Sequence, residues 1–401
     1  MDSRPWPLGS LLLLSAAVFV SVTTELLPTG LLPAMSRDLG VSEGQVGLLV
    51  TAYALMVAVL AAPIGVVTAR YGRRTLLTVA MILYAVCSTV TAVSDSYPLT
   101  VAGRLVGGFS HGLFWGMLAG YAGRLVSPDR VGRAVAITLT GGTSAVVVGV
   151  PLGTAIGVAA GWRVSFAGLA AVAAILALIA ARRLPRIDGT ADGHGVRMRD
   201  VLRQPALAAV ITATALIMLG QFSFSTYVAP FLTHAGLAES QLAPALFANG
   251  LAGVLGLVLA GLLVDRALRA ATVAAGALLA VTFVVLTLGG TAAAVAVAAN
   301  AALGLAMGML PLFLQAAALR AAPDAHDPAS ALNAAAFNVG IAGGALLGGI
   351  SLDRFGPAAL PLVAAALTSI GLAVTVASRR VGRVQNTVVH PSRPAPVHNT
   401  V

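Results

Sequence analysis

"GVVTARYGRR", residues 65–74, is the end of an apolar run that breaks into a short loop carrying three arginines. Shifted by 196 residues it falls on "GLLVDRALRA", residues 261–270, where Gly65 meets Gly261 and Arg70 meets Arg266. The same shift carries Arg104 to Asn300, Gly108 to Gly304, Gly112 to Gly308 and Arg124 to Arg320. One constant offset held over two separate segments points to a duplicated unit.

Composition says what kind of unit it is. Of the 401 residues, 58% are apolar and 9% charged, whereas a soluble domain carries roughly 25% charged residues. Crossing a hydrocarbon core of ~30 Å takes about 20 apolar residues. Apolar runs of about that length, uncharged but for Glu25 and Arg104, number twelve, from 8–33 to 358–378, with 205–233, 241–264 and 270–289 among them. The predicted fold is therefore an all-α integral membrane protein with twelve transmembrane helices in two six-helix bundles. The first bundle takes residues 1–182 and the second 205–379, with a central loop at 183–204 and a basic tail at 380–401. Loop and tail are too short and too polar to fold alone, and the tail is expected to be disordered.

The net charge of +10 comes from 24 cations, all arginine. With the N-terminus placed inside, twenty of them fall on one side, only Arg37, Arg163 and Arg354 fall on the other, and Arg104 stays inside a span. That bias predicts cytoplasmic termini and a cytoplasmic central loop. Arginines spread over short loops make no nucleic-acid patch. Arg4 ahead of an apolar run resembles a secretion signal, but the run is too long and lacks a small-residue cleavage site, so a retained first helix is expected. A lone Cys87 excludes an internal disulfide and a cysteine-rich metal site. No acid and histidine cluster with metal spacing and no phosphate-binding glycine loop suggests an enzyme. An Ala- and Arg-rich, Lys-free composition points to a bacterial plasma membrane. Duplicated helical halves suit a transporter with its site near the bilayer midplane.

The loop motif "GVVTARYGRR", "GRLVGGFSHGLFWG" (103–116) and "GVPLG" (149–153) resemble the signature motifs of the major facilitator superfamily. More narrowly, "TTELLPTGLLPAMSRDLGVS" (23–42) and "HGLFWG" (111–116) are similar to its twelve-helix proton-coupled drug and sugar efflux branch, which includes chloramphenicol and arabinose exporters. The resemblance implies proton-driven antiport of a small neutral or weakly charged molecule, a phenicol-like drug first and a sugar or nucleoside second. A symporter or facilitator for uptake is the same fold with the opposite flux. It also implies no cofactor beyond a proton gradient, no metal, and a monomer whose partners are its substrate, protons and the lipid bilayer. In the family an acid precedes the loop arginine and helps latch the cytoplasmic side. Here that position is Ala69, while the second copy keeps Asp265. Gly65, Arg70, Gly72, Arg73, Arg74, Gly261, Asp265 and Arg266 are thus gating candidates, with Asp265 and Arg266, or Arg73 and Arg74 with another partner, taking up the latch.

Ionisable groups inside a span default to function. Glu25 is the one acid well inside a span, and Arg104 the one arginine. Counted along their helices at 1.5 Å per residue, both lie roughly 9–12 Å below the outer surface, so they can pair. A carboxylate that alternates between paired and unpaired states can take up and release a proton; the alternative is a residue that faces an aqueous cavity or ties helices together. An arginine at the position of Arg104 is linked to proton transfer in the resembled family. Arg104, Gly108, His111 and Trp115 share one helix face, which makes His111 a candidate proton relay or substrate ligand and Trp115 a substrate contact. Gln221 lies 196 residues after Glu25, so the second half offers amides where the first has charges. Gln221, Tyr227, Asn249, Asn300, Asn333, Asn338 and, from the first half, Tyr53 are candidate substrate-binding groups, and each serves equally as interhelical glue. Small residues recur every four positions at Gly141, Ala145, Gly149, Gly153 and Gly157 around Pro151. This resembles the family's antiporter motif and is expected to seal the interface between the two bundles.

Overall fold

The computed structural model describes residues 7–68, 70–127, 130–188, 204–289, 292–323 and 325–378. The chain runs through α1 (Leu8–Leu39), α2 (Glu43–Thr68), α3 (Arg73–Val93), α4 (Tyr97–Arg124) and α5 (Val131–Ser144). A π-helical turn, Ala145–Gly149, passes into α6 (Val150–Ala160), then α7 (Trp162–Arg183). The second half holds α8 (Pro205–Ser225), α9 (Val228–His234), α10 (Glu239–Gly289), α11 (Ala293–Ala321), α12 (His326–Phe355) and α13 (Leu360–Ala377). Among the described residues ten helical spans, α5 through α6 counted as one, are long and apolar enough to cross a membrane by length and composition. Their outer faces expose large apolar side chains such as Leu55, Val59, Leu178, Leu255 and Val281, a surface that suits lipid and not water. The protein is a multi-pass membrane protein.

Two expected spans differ in detail. The run 205–233 breaks between Ser225 and Val228, because Pro230 has no N–H to give the carbonyl of Thr226. The runs 241–264 and 270–289 join as α10, whose 51 residues would measure about 76 Å if straight. That is far more than one bilayer, and the helix folds back at Ala267 (φ −147°, ψ 37°). Four turns at the arginine-poor end use a left-handed glycine each, Gly40, Gly161, Gly236 and Gly356, where a side chain would strain the backbone.

The duplication seen in the sequence is present in the packing. In the first half, Gly108 of α4 presses on the Tyr53 carbonyl of α2; in the second, Gly304 of α11 presses on the Asn249 carbonyl of α10. Each contact is the other shifted by 196 residues. Glycine lets these helix backbones touch.

The glycine ladder around Pro151 is placed differently from the expectation. Gly141, Gly149, Gly153 and Gly157 face Ser15, Thr23, Leu27 and Leu31 of α1, in the same half of the chain. The partner is α1 because its matching four-residue ridge runs parallel to the glycine groove. The contact with the second half is made by the opposite face of the π-helical turn, where Val146 and Val147 meet Gly250. A second glycine ladder, unread in the sequence, sets Gly340, Gly344 and Gly348 of α12 against Ala215, Leu219 and Ser223 of α8.

The halves also meet through Val50 and Ala54 of α2 against Ile341, Ala342 and Ala345 of α12. Polar bonds joining the halves gather at the arginine-poor end. Arg37 forks onto Glu239 at 2.7 and 3.2 Å. Asp353 accepts from Ser42 Oγ at 2.9 Å and from the Gly44 N–H at 3.2 Å, capping the first turn of α2 from another helix.

Candidate functional site

The site begins with a proline. Pro28 lies inside α1 and has no N–H, so the carbonyl of Thr24, four residues earlier, lacks its helical donor. Arg104 of α4 supplies one. Its Nη1 donates to Thr24 O at 2.5 Å, its Nη2 to Glu25 O at 2.9 Å, and its Nε to Leu49 O of α2 at 3.3 Å. The guanidinium also lies 4.3 Å from the centre of the Tyr53 ring, a favourable cation–π position. Arg104 is 0% exposed. Three carbonyls and a ring face hold its charge, and the side chain ties α1, α2 and α4 together.

This geometry is the unpaired one of the two states expected of Glu25 and Arg104. Arg104 reaches the backbone of Glu25 but makes no ion pair with its carboxylate. The carbonyls freed and aligned by the Pro28 region use the planar fork of donors that would otherwise face the acid. The carboxylate turns instead toward His111, with Oε2 3.9 Å from Nδ1.

His111 is the centre of a buried polar cluster. Its Nδ1 lies 3.2 Å from Ser21 Oγ and 3.0 Å from Tyr53 OH. Ser21 Oγ in turn bonds Tyr84 OH at 2.6 Å and accepts the Trp115 indole N–H at 3.1 Å. Trp115 stacks on the imidazole at 5.6 Å and 23° and keeps 36% of its surface exposed. Two hydrogen-bond patterns satisfy these contacts. With Nδ1 bare, its one lone pair accepts from Tyr53 or from Ser21, and Ser21 accepts from Trp115 and bonds Tyr84. With a proton on Nδ1, the ring donates to one of its oxygen neighbours, and Glu25 is within a small movement of being that acceptor. The cluster can therefore pass a change of proton on Glu25 into the orientation of four side chains.

The second half repeats the frame without the charge. Asn300 Nδ2 donates to Ala245 O at 3.1 Å, which is the Arg104 to Leu49 bond shifted by 196 residues. Asn249, in the place of Tyr53, donates to Asn300 O at 2.6 Å. Gln221, in the place of Glu25, is buried, and its Oε1 lacks a hydrogen-bond partner among the described residues. Asn333 is engaged at both ends, accepting from Thr214 and donating to Gln315 at 2.8 Å each. Asn338 donates to Ala334 O of its own helix at 3.0 Å. Tyr227 is fully buried, and its hydroxyl donates to Ala345 O at 2.6 Å and lies 3.4 Å from Gly44 O. It stands in the closed contact between α2 and α12.

At the arginine-rich end, Ala69 lies outside the described residues. Arg70 bonds Tyr71 OH at 3.1 Å. Beyond Gly72, the Arg73 backbone N–H donates to Ile187 O at 2.8 Å, and Arg74 Nη1 to Leu184 O at 3.4 Å. Arg124 donates to Asp188 O at 2.8 Å. The loop arginines thus bind the stretch 184–188. In the second copy Asp265 pairs with Arg320 at 3.8 Å, while Arg266 bonds its own helix at Leu262 O. Gly65 and Gly261 lie within α2 and α10, and no atom stands within 4 Å of a Cβ built on Gly261.

Three groups in these arrangements escaped the sequence reading. Ser21 sits one helical turn before Glu25 on α1, a spacing that places both on one face. Tyr84 and Asp353 had no such signal, because their partners come from distant helices.

The Major Facilitator Superfamily model matches residues 13–327. Chloramphenicol efflux pumps of two strains of Mycobacterium tuberculosis are each 35% identical over 372 residues, covering 88% of this chain and 88% of theirs. Among solved structures, a bacterial homolog of the human lysosomal transporter Spinster, inward-facing and unoccupied, superposes with a TM-score of 0.72 at 15% identity, covering 95% of this chain and 98% of that one. A nucleoside transporter gives a TM-score of 0.75 at 13% identity, covering 92% and 99%. The chain is a transporter, not an enzyme, and it belongs to the Major Facilitator Superfamily.

Proposed function

We propose that this protein exports a small neutral or weakly charged organic compound, phenicol-like first of all, in exchange for protons. The observation that carries the reading is Glu25: one carboxylate within the bundle among the described residues, in no ion pair with Arg104 and 3.9 Å from His111. The kinship with proteins named chloramphenicol efflux pumps supports the substrate class.

Twelve crossings complete the proposed architecture: the ten apolar helices, the second arm of α10 beyond Ala267, and α4. They form two six-helix bundles in a bacterial plasma membrane, the arginine-rich end in the cytoplasm, as a monomer. With the opposite end latched, the structure represents the inward-facing state. Substrate enters from the cytoplasm beside Trp115 and His111, and Glu25 gives up its proton. The bundles then rock, substrate leaves outside, and Glu25 takes a new proton. An unpaired charge is costly in a sealed apolar site, so the empty carrier returns only with Glu25 neutral. The loaded carrier, in turn, crosses only with Glu25 ionised, the polar groups of the bound compound then partnering the carboxylate, and the two conditions together couple the two fluxes.

The test is uptake of labelled chloramphenicol into everted membrane vesicles from cells expressing the chain, with arabinose and uridine alongside. Respiration-driven uptake abolished by a protonophore is expected for chloramphenicol. Uptake of arabinose or uridine instead reassigns the substrate, and uptake indifferent to the protonophore contradicts antiport.

A further inference from the structure

At the arginine-rich end, far along α1 from Glu25, the first turn of α1 and the last turn of α7 diverge. They leave a groove of about 770 Å³, within the range that small organic ligands occupy. Its walls are Leu12, Leu13, Leu178 and Ile179, and its mouth carries Arg182 and Arg183. Leu12 and Leu178 are half exposed. Both arginines are exposed, and neither guanidinium has a hydrogen-bond or ion-pair partner among the described residues. The arginines elsewhere at this end behave differently: Arg74, Arg124, Arg269 and Arg320 are each turned onto backbone carbonyls.

We propose that this groove holds one anionic phospholipid of the leaflet at the arginine-rich end, its phosphate on Arg182 and Arg183 and an acyl chain along Leu12 and Leu178. The shape of the charge argues for a lipid over a soluble anion. Two cations stand only at the rim, and the rest of the groove is an apolar wall that continues along α7 through the exposed Ile175. A guanidinium pair presents donors to phosphate oxygens, while the wall has no use for a ligand without a chain. The lipid would fill the gap between α1 and α7 and so steady the helix that carries Glu25.

The floor offers an independent handle. Gly9 lines the groove, and a Cβ built on it meets no atom within 4 Å, so a side chain can start there without a clash at its first atom. The full-length protein is purified in detergent, and lipid adducts are counted by native mass spectrometry during titration with phosphatidylglycerol or phosphatidylcholine. The wild type is expected to retain one phosphatidylglycerol in preference to phosphatidylcholine. R182Q/R183Q is expected to lose about tenfold or more in phosphatidylglycerol affinity, given two cations acting at a membrane surface. G9W, with both arginines intact, is expected to weaken the same adduct. R266Q, a single-charge control at the same end of the other half, leaves it unchanged. The proposal is overturned if R182Q/R183Q behaves like R266Q, if G9W has no effect, or if glycerol 3-phosphate displaces the lipid, which would make this a site for soluble phosphate.

Discussion

Arg104 and Asn300 occupy the same place in the two copies and make the same bond, a side-chain nitrogen donating to a carbonyl on the neighbouring helix 55 residues earlier. The shared bond shows what the fold needs there: one donor where α4 crosses α2, or α11 crosses α10. The difference shows what has been added. Arg104 has two more donors, which reach across to α1 at Thr24 and Glu25, while the Asn300 amide stops at α10, donating to Ala245 and meeting Asn249. Glu25 against Gln221 repeats the contrast. The first copy keeps a charged centre and the second a neutral frame of similar shape.

The sharpest way to break this comparison is to truncate both members. Arg104→Ala leaves the Thr24 carbonyl without any donor and is expected to cost about 3–5 kcal/mol. Asn300→Ala is expected to cost about 1–2 kcal/mol. Thermal unfolding in detergent reads both, and equal losses would mean that the two sites are structural equivalents.

The glycine ladders give a second, smaller contrast. Gly141→Ala drives a Cβ into the Ser15 carbonyl, and Gly344→Ala puts one 2.6 Å from the Leu219 carbonyl. Each is expected to destabilise by about 1–3 kcal/mol. Gly261→Ala meets nothing within 4 Å and is expected to stabilise α10 by up to about 1 kcal/mol. If all three behave alike, the ladders are not close-packing devices.

Smallest in energy are the latches at the arginine-poor end. Asp353→Ala removes a cap on α2, an effect of about 1 kcal/mol, and Arg37→Gln opens an exposed ion pair, an effect of up to about 1 kcal/mol. Both are expected to raise the fraction of molecules open at that end, read as spin-label distances between the tips of α1 and α10. An unchanged distribution would remove these contacts from the gate.

Much of this was legible beforehand. A constant 196-residue shift predicted the Arg104 and Asn300 equivalence, because duplicated backbones inherit the same register. Hydropathy located ten spans that are long and apolar enough to cross a membrane, yet it could not see the break at Thr226, which comes from Pro230 three residues into the next helix. Glu25 and Arg104 stand here in the unpaired one of the two states the sequence allows: depth along a helix does not say which atom a guanidinium chooses, and Pro28 frees a carbonyl for it. The glycines around Pro151 close-pack on α1, while Val146 and Val147 of the same segment meet the second half at Gly250, since a helix periodicity names a face without naming its neighbour. Ser21 and Tyr84 went unread because serine and tyrosine inside a span look like ordinary packing until a histidine is placed between them.

The central claim is that Glu25 carries the exchanged proton. It is tested most directly by drug-evoked proton movement in proteoliposomes enclosing a pH-sensitive dye, with wild type beside Glu25→Gln and chloramphenicol as the probe. The account predicts a chloramphenicol-dependent proton flux in the wild type that is lost in Glu25→Gln, while drug exchange down its own gradient persists. Proton flux of undiminished size in Glu25→Gln would contradict it.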